Sequence, residues 1–358
     1  MPCGTTAGIH IHAPPLRCGN RDVTNFPHIA PRRSIFAQMP GKRPFSRRIR
    51  RGFQRFAQFG DEIGAASGPE LNHLEEDAAI TFAAPIAPVT AGPRQPRAIG
   101  RARVTARLRA GRSVLGELYQ QGASKVLLPR TGGSALTAVT LNTAGGMTGG
   151  DSFQIAARAE TGAHLVVTTQ AAERVYRAQD NETAALTCHL TVQDNARLDW
   201  LPQETILFDR CALTRRLTAD LGANAAFLMV EPLIFGRAAM GETLTAGAFR
   251  ERIEVRRQGA LVFADATRLT GDIQKQLDHP ATAGGARAMA SLLYVAANAE
   301  THLNALRSLL PATAGASLIR DGVLFARILA PDGYTLRQSL LPAITRLSGA
   351  PLPRTWML

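Results

Sequence analysis

The sequence is short of cysteine, of metal-site spacing and of long apolar runs. Its four cysteines, Cys3, Cys18, Cys188 and Cys211, form no CxxC pair, and no Cys/His cluster has zinc-finger spacing. That argues against a disulfide scaffold and makes a reducing cytoplasm the expected location. No apolar stretch approaches the ~20 residues that a membrane helix needs. The best candidate, Ala225–Phe235, is interrupted by Glu231 and Pro232, so no membrane partner is expected. No charged-then-apolar segment of the kind that starts a secretory leader is seen in the first sixty residues, so secretion is not expected. Enzyme signatures are equally scarce: there is no nucleophile elbow, no HExxH and no Ser/His/Asp order.

Acidic residues are short in one region only. Residues 1–60 hold eleven Lys/Arg against the single acid Asp22, so +10 of the net charge of +13 sits there. Basicity is thus a property of a tail, concentrated in PRRSIFAQMPGKRPFSRRIRRGFQRF (31–56), and a specific nucleic-acid partner is not expected from it. The tail reads as a disordered basic extension, or as the product of a start placed too early. A Pro-rich linker, ITFAAPIAPVTAGPRQPRAIG, follows it. The expected organisation is therefore an extension and linker over 1–97 and a folded domain over 98–358.

What the folded part has in abundance is turns. LNTAGGMTGGDS (141–152) carries two Gly-Gly pairs and an aspartate. A phosphate-binding loop would need a helix behind it and a lysine within it; here the alternating run FQIAARAE (153–160) follows, and the lysine is missing. The glycines are better explained by a turn demanding positive φ at several positions. HLVVTTQ (164–170), AALTCHLTV (184–192), RLDWLPQ (197–203), ILFDRCALTRRLTADL (206–221), AAFLMVEPLIFG (225–236), RERIEVRRQ (250–258) and ALVFADATRL (260–269) all suit strands. In RERIEVRRQ, Arg252, Glu254 and Arg256 alternate with inward Ile253 and Val255. Turn signals fall at TGAH, QDNA, LGAN and RQGA, and a turn-Ala-x-apolar shape recurs in GAHL, NARL and GALV, hinting at a coiling succession of hairpins. Helical character is expected over 284–311, with a second helix starting after Asn298, and over 336–349, where Pro342 breaks or starts a helix. The composition predicts a β-rich body with a small helical layer.

NTAGGMTGGDSF, VVTTQAAERVYRA (166–178), LDWLPQETILFD (198–209), FGRAAMGETLTAG (235–247) and PRTWML (353–358) come in order with plausible spacing. Together they resemble the UreD (UreH) family of urease accessory proteins over about residues 98–358. Two places depart from the family pattern: Thr143-Ala144 stands where a Pro-Pro is common, and Glu173-Arg174 where Thr-Lys is usual. The resemblance implies a mainly β fold, irregular and β-helix-like or built of stacked antiparallel strands, with about two α-helices in the C-terminal third. It implies a non-enzymatic maturation factor that binds UreF and the GTPase UreG, docks with them on apo-urease, and helps deliver nickel. It also implies that no cofactor is bound permanently and that nickel is only in transit.

Transit sets physical demands. Nitrogen and thiolate ligands would trap nickel, whereas oxygen ligands along a wet passage would attract a cation and release it. Four acids in the matching segments are candidates for that pathway: Asp151, Glu204, Asp209 and Glu231. Glu231 is the most unusual, because it interrupts an apolar strand where an isolated charge is costly. It is either a buried acid paired with Arg237 or Arg210, or a carboxylate of a water-lined passage. Glu204 is either turn surface or functional, Asp209 a turn cap or functional, and Asp151 suits bonding to neighbouring amides. Cys188 and His189 are adjacent on a strand and so point to opposite faces. Val175, Tyr176 and Arg177 have the chemistry of a partner hot spot. Trp356 is docked on the core or covered by a partner. Two rival functions remain at this level: a hydrolase using Asp151, Glu204 and a histidine, and a nucleic-acid binder acting through the basic arm.

Overall fold

The computed structural model describes residues 95–357. The basic arm and nearly all of the linker assigned to 1–97 lie outside the described residues.

Equivalent corners organise the chain. Strands β4 (Leu136–Asn142), β6 (His164–Thr169), β9 (Arg197–Leu201) and β12 (Ala226–Phe235) belong to one sheet. Strands β5 (Ser152–Ala159), β8 (Ala184–Val192), β11 (Ala212–Leu221) and β13 (Ala248–Arg257) belong to the other. They alternate along the chain, so each coil lays one strand in each sheet, and both stacks are parallel. At one side the coils turn tightly. Gly162 (φ 72°) and Asn195 (φ 56°) take left-handed conformations that glycine and asparagine tolerate best. Ala163, Ala196 and Ala225 are buried at successive corners. Arg197 N donates to Ala163 O at 2.8 Å and Ala226 N to Ala196 O at 2.9 Å. The turn-Ala shape is thus a real stack of corners, with Ala225 as its third member. The GALV instance is something else: Gln258-Gly259, both at positive φ, turn a hairpin into β14 (Ala260–Thr270).

Antiparallel strands flank the coil on both sides. β1 (Ile99–Arg109) joins β5 in parallel and carries β2 (Arg112–Gly122) antiparallel; β3 (Ser124–Leu127) pairs antiparallel with β4. At the far side β14 closes the seven-stranded sheet, and β15 (Ala288–Val295), β17 (Val323–Ala330) and β16 (Ala314–Arg320) extend the ten-stranded one. The architecture is mainly β and solenoid-like, as expected. The inner ladders are parallel because each return passes through the other sheet, whereas a hairpin would have made them antiparallel.

Three α-helices complete the fold among the described residues: α1 (Ile273–Asp278), α2 (Ala299–Leu309) and α3 (Gly333–Ser348). The helix expected to begin at 284 does not form; residues 288–295 are β15. Every residue of β15 is buried, because one face meets the inter-sheet core and the other meets α3. A strand covered on both faces loses its period-two signature, and alanine-leucine composition then mimics a helix. The second expected helix, after Asn298, is α2. Pro342 neither starts nor breaks α3 but lies inside it. Leu336, Leu340, Ala343, Ile344 and Leu347 hold that helix down by burying one face, and Asp332 caps its start by accepting from Thr335 N at 2.7 Å. No helix among the described residues is long and apolar enough to cross a membrane.

Candidate functional site

The side of the coil opposite the tight corners is built of longer segments, 143–151, 170–183, 202–211 and 236–247. They stack on one another as the strands do. Met147 N donates to Arg174 O at 2.7 Å, Tyr176 N to Met147 O at 2.8 Å, and Arg210 N to Ala246 O at 2.7 Å. Two short strands, β7 (Glu173–Val175) and β10 (Thr205–Leu207), continue the ladder in parallel to β12. The four internal segments that carry the resemblance are therefore neighbours in space.

This stacking explains the glycines. Gly145, Gly146 and Gly150 have φ of 77°, 153° and 86°. A Cβ on Gly146 would lie 2.3 Å from the Tyr176 ring and 2.8 Å from Arg174 O. The loop needs glycine to approach the next coil. Asp151 serves the same loop: it is buried and accepts from Ala98 N at 2.7 Å and Thr148 N at 2.8 Å.

Beneath the stacked segments, between the two sheets, lies a cavity of about 230 Å³. Its lining runs from exposed Gly145, Gln170, Ala171 and Arg174 to buried Cys188, Trp200, Arg215 and Glu231. The volume and the polar lining suit several waters. At the inner end Arg215 lies between two carboxylates. Its Nη1 is 2.8 Å from Glu231 Oε2, and its Nε donates to Glu251 Oε1 at 2.6 Å. Nη1 also donates to Thr205 Oγ1 at 3.0 Å, and Trp200 Nε1 donates to Glu231 Oε1 at 2.6 Å. Arg215, Glu231 and Glu251 are 4%, 3% and 5% exposed, so one cation faces two acids with little solvent to screen them. Burial pushes the Glu231 carboxyl well above the usual range against the pull of Arg215, with the charge of Glu251 adding to the rise. Burial likewise raises the Cys188 thiol, and Glu231 reinforces it; a thiol held neutral is a poor metal ligand.

Nearer the surface, half-buried Glu173 lines the same cavity and accepts from Asn142 Nδ2 at 3.1 Å. Burial raises its pKa to about 7, against the Asn142 bond. Because the folded pKa lies above the unfolded one, the carboxylate form opposes folding, and stability falls as pH rises from the unfolded value through about 7. Glu173→Gln is expected to raise stability at pH 8 by about 1–2 kcal/mol, after discounting for exposure, and to change little at pH 4. Denaturant unfolding at the two pH values checks this.

The other candidates are dispersed. Glu231 pairs with neither Arg237 nor Arg210. Arg237 grips Glu242 at 2.7 and 3.0 Å and stacks over Phe208 at 4.2 Å, while Arg210 is exposed beside Asp209. Glu204 is buried but faces α3, where Arg337 binds it through two contacts of 2.6 and 2.8 Å. Asp209 accepts from Ala246 N at 3.1 Å and Thr245 Oγ1 at 3.3 Å, tying two stacked segments together. Val175 and Trp356 are buried within the chain. Tyr176 packs edge-on against Phe208 at 5.1 Å, and Arg177 is exposed. Cys188 is buried and His189 exposed, on opposite faces as expected. Among the described residues no three His, Cys, Asp or Glu side chains converge as an ion site.

The pattern of segments finds its counterpart in known proteins. The family model described as UreD urease accessory protein matches residues 98–357. The chain belongs to the UreD family. A urease accessory protein UreD of Ruegeria pomeroyi is 51% identical over 244 residues, covering 68% of this chain and 95% of that protein. A UreD of Roseobacter denitrificans is 48% identical over 264 residues, 74% and 96% of the two chains. One from Rhizobium leguminosarum bv. viciae is 45% identical over 271 residues, 75% and 99%. In this chain the inner carboxylates and their arginine are Glu231, Glu251 and Arg215. Only Glu231 was singled out from sequence. Arg215 and Glu251 are legible in hindsight, since each holds an inward position of an alternating strand: Leu213/Arg215/Leu217 and Phe249/Glu251/Ile253.

Proposed function

We propose that this chain acts in urease maturation as a non-catalytic scaffold through which nickel passes, bound with UreF and UreG to apo-urease. The family membership supports the maturation role, and the domain over 98–357 is where it resides. The observation that carries the passage is the cavity under the four stacked segments, with Glu231 at its inner end and Glu173 nearer the surface. Both offer oxygen ligands, each already engaged by a weaker or competing partner, so a divalent ion meets attraction without a complete ligand set. Glu204 and Asp209 hold the surrounding segments in place, and Asp151 fixes the glycine loop.

Glu231→Gln tests the passage. The amide oxygen keeps the Trp200 bond while the amide N–H turns toward Arg215, donor against donor, at a cost of about 1–3 kcal/mol. Arg215 keeps Glu251 and Thr205, so the fold and the complex with UreF and UreG should persist. Co-expressed with the urease subunits, the variant is expected to lower urease nickel content about tenfold, read by elemental analysis, while the complex co-elutes as before. Unchanged nickel loading would remove the inner carboxylate from the pathway. The hydrolase reading finds no support in the geometry, since Asp151 and Glu204 are separately engaged and neither is bonded to a histidine.

A further inference from the structure

The cavity occupies the inner side of the seven-stranded sheet. Its outer face is uncovered by any helix among the described residues, because α2 and α3 pack on the ten-stranded sheet and α1 contributes to the inter-sheet core. Strand pairing places the outward side chains in rows. One row runs Ala266, Arg252, Arg216, Thr187, Gln154, Arg101 across six strands. In the next row Arg250 stands opposite Arg268. Like charges directly opposite one another destabilise a sheet, and this face has two such neighbours, Arg216 beside Arg252 and Arg250 beside Arg268. Some arginines of the face are neutralised locally: Arg103 by Glu117, and Arg252 and Arg256 by Glu254. Arg101, Arg158, Arg216, Arg250 and Arg268 are exposed and have no carboxylate within salt-bridge distance among the described residues.

We propose that this face docks a carboxylate-rich surface of a folded protein, and that in the maturation assembly the occupant is apo-urease. The naming of that occupant rests on the function proposed above; the chemistry of the face does not. Three features select a protein. Seven strands leave six gaps of ~4.8 Å, and with strands of 8 to 11 residues at ~3.3 Å per residue the face measures roughly 750–1,050 Å², enough for the ~800 Å² per partner of a standard interface. Beside the arginines of the first row lie the uncharged Ala266, Thr187 and Gln154, among which guanidinium forks can meet carboxylates bidentately. A single-stranded nucleic acid needs stacked aromatics, whereas the exposed aromatic of this face among the described residues is the lone Tyr119, opposite Arg103. Within the chain, residues 1–60 carry +10 and are excluded as occupant by charge, whereas residues 61–77 hold six acids and no Lys or Arg. A chain lacking residues 1–94 is therefore expected to bind apo-urease with the same sensitivity to the reversal Arg216→Glu/Arg250→Glu. Loss of that sensitivity would assign the face to the chain's own acidic segment and overturn the proposal.

The test is the double charge reversal Arg216→Glu/Arg250→Glu in the full chain, purified with UreF and UreG. The introduced carboxylates would face Arg252 and Arg268 and so relieve the like-charge pairs; thermal stability is expected to hold or rise. Association with purified apo-urease at about 0.05 M salt is expected to weaken at least tenfold, and the difference to vanish near 1 M salt, where the Debye length is ~3 Å. Unchanged affinity for apo-urease overturns the docking face and leaves the passage untouched, because Glu231→Gln is read by nickel content with association intact. If the reversal instead abolishes binding to poly-uridine RNA and spares urease, the face is a nucleic-acid surface and the proposal falls. If the unmodified complex does not bind apo-urease at all, the occupant and the proposed partner fall together, while the unpaired arginines remain.

Discussion

Arg215→Met is expected to lower the unfolding free energy by about 3–5 kcal/mol, the range for removing one partner of a buried ion pair. Methionine fills much of the space but supplies no donor. Glu231 would retain only the Trp200 indole N–H, and Glu251 would lose its guanidinium contact. Both carboxylates would remain at the interface of two packed sheets. The sign with pH follows: an unpaired buried carboxyl has a folded pKa above its unfolded one, so the deficit should shrink in mild acid and grow as pH rises. The triple variant Arg215→Met/Glu231→Gln/Glu251→Gln should recover at least half of the loss, since neutral amides are cheaper to bury than unpaired charges. Denaturant titration at pH 5 and pH 8 measures both. A deficit below about 1 kcal/mol at pH 8 would mean that cavity water already screens the three groups despite their low exposure.

That cluster also shows what the sequence could and could not disclose. Alternation is a local signal, and it placed most of the coil strands from 152 to 270 within a few residues of their bounds. It also contained the inward positions of Arg215 and Glu251. What no local pattern carries is that Arg215 of one sheet reaches Glu231 of the other, because the pairing depends on how the two sheets face each other across the core. Sequence proximity pointed instead to Arg210 and Arg237, which lie on the loop side of the strand ends. β15 was hidden for a related reason: burial on both faces erases the polar half of the alternation. The glycine loop was readable as a demand for positive φ at Gly145, Gly146 and Gly150. Its purpose, close approach to Tyr176 of the next coil, became visible only once the coils were assembled.

Trp356→Ala is expected to destabilise the chain by about 3–5 kcal/mol, as other buried Trp-to-Ala changes do. The indole is 1% exposed, and its Nε1 donates to Leu201 O at 3.1 Å. Arg337 stacks over the ring at 5.5 Å and donates to the Trp356 carbonyl at 3.2 Å while holding Glu204. One side chain thus ties the C-terminal 3-10 turn, α3 and the end of β9 together. Truncation would leave a large void between the ten-stranded sheet and α3, expose Leu201 O and loosen the Arg337–Glu204 pair. Trp356→Phe should lose less, about 1–3 kcal/mol, chiefly from the unpaired carbonyl. The two readings of this residue separate cleanly in one measurement. A partner hot spot would leave thermal unfolding of the chain unchanged and weaken association. A core anchor lowers the unfolding temperature of the chain before any partner is added, and the burial of the ring within its own domain selects that outcome.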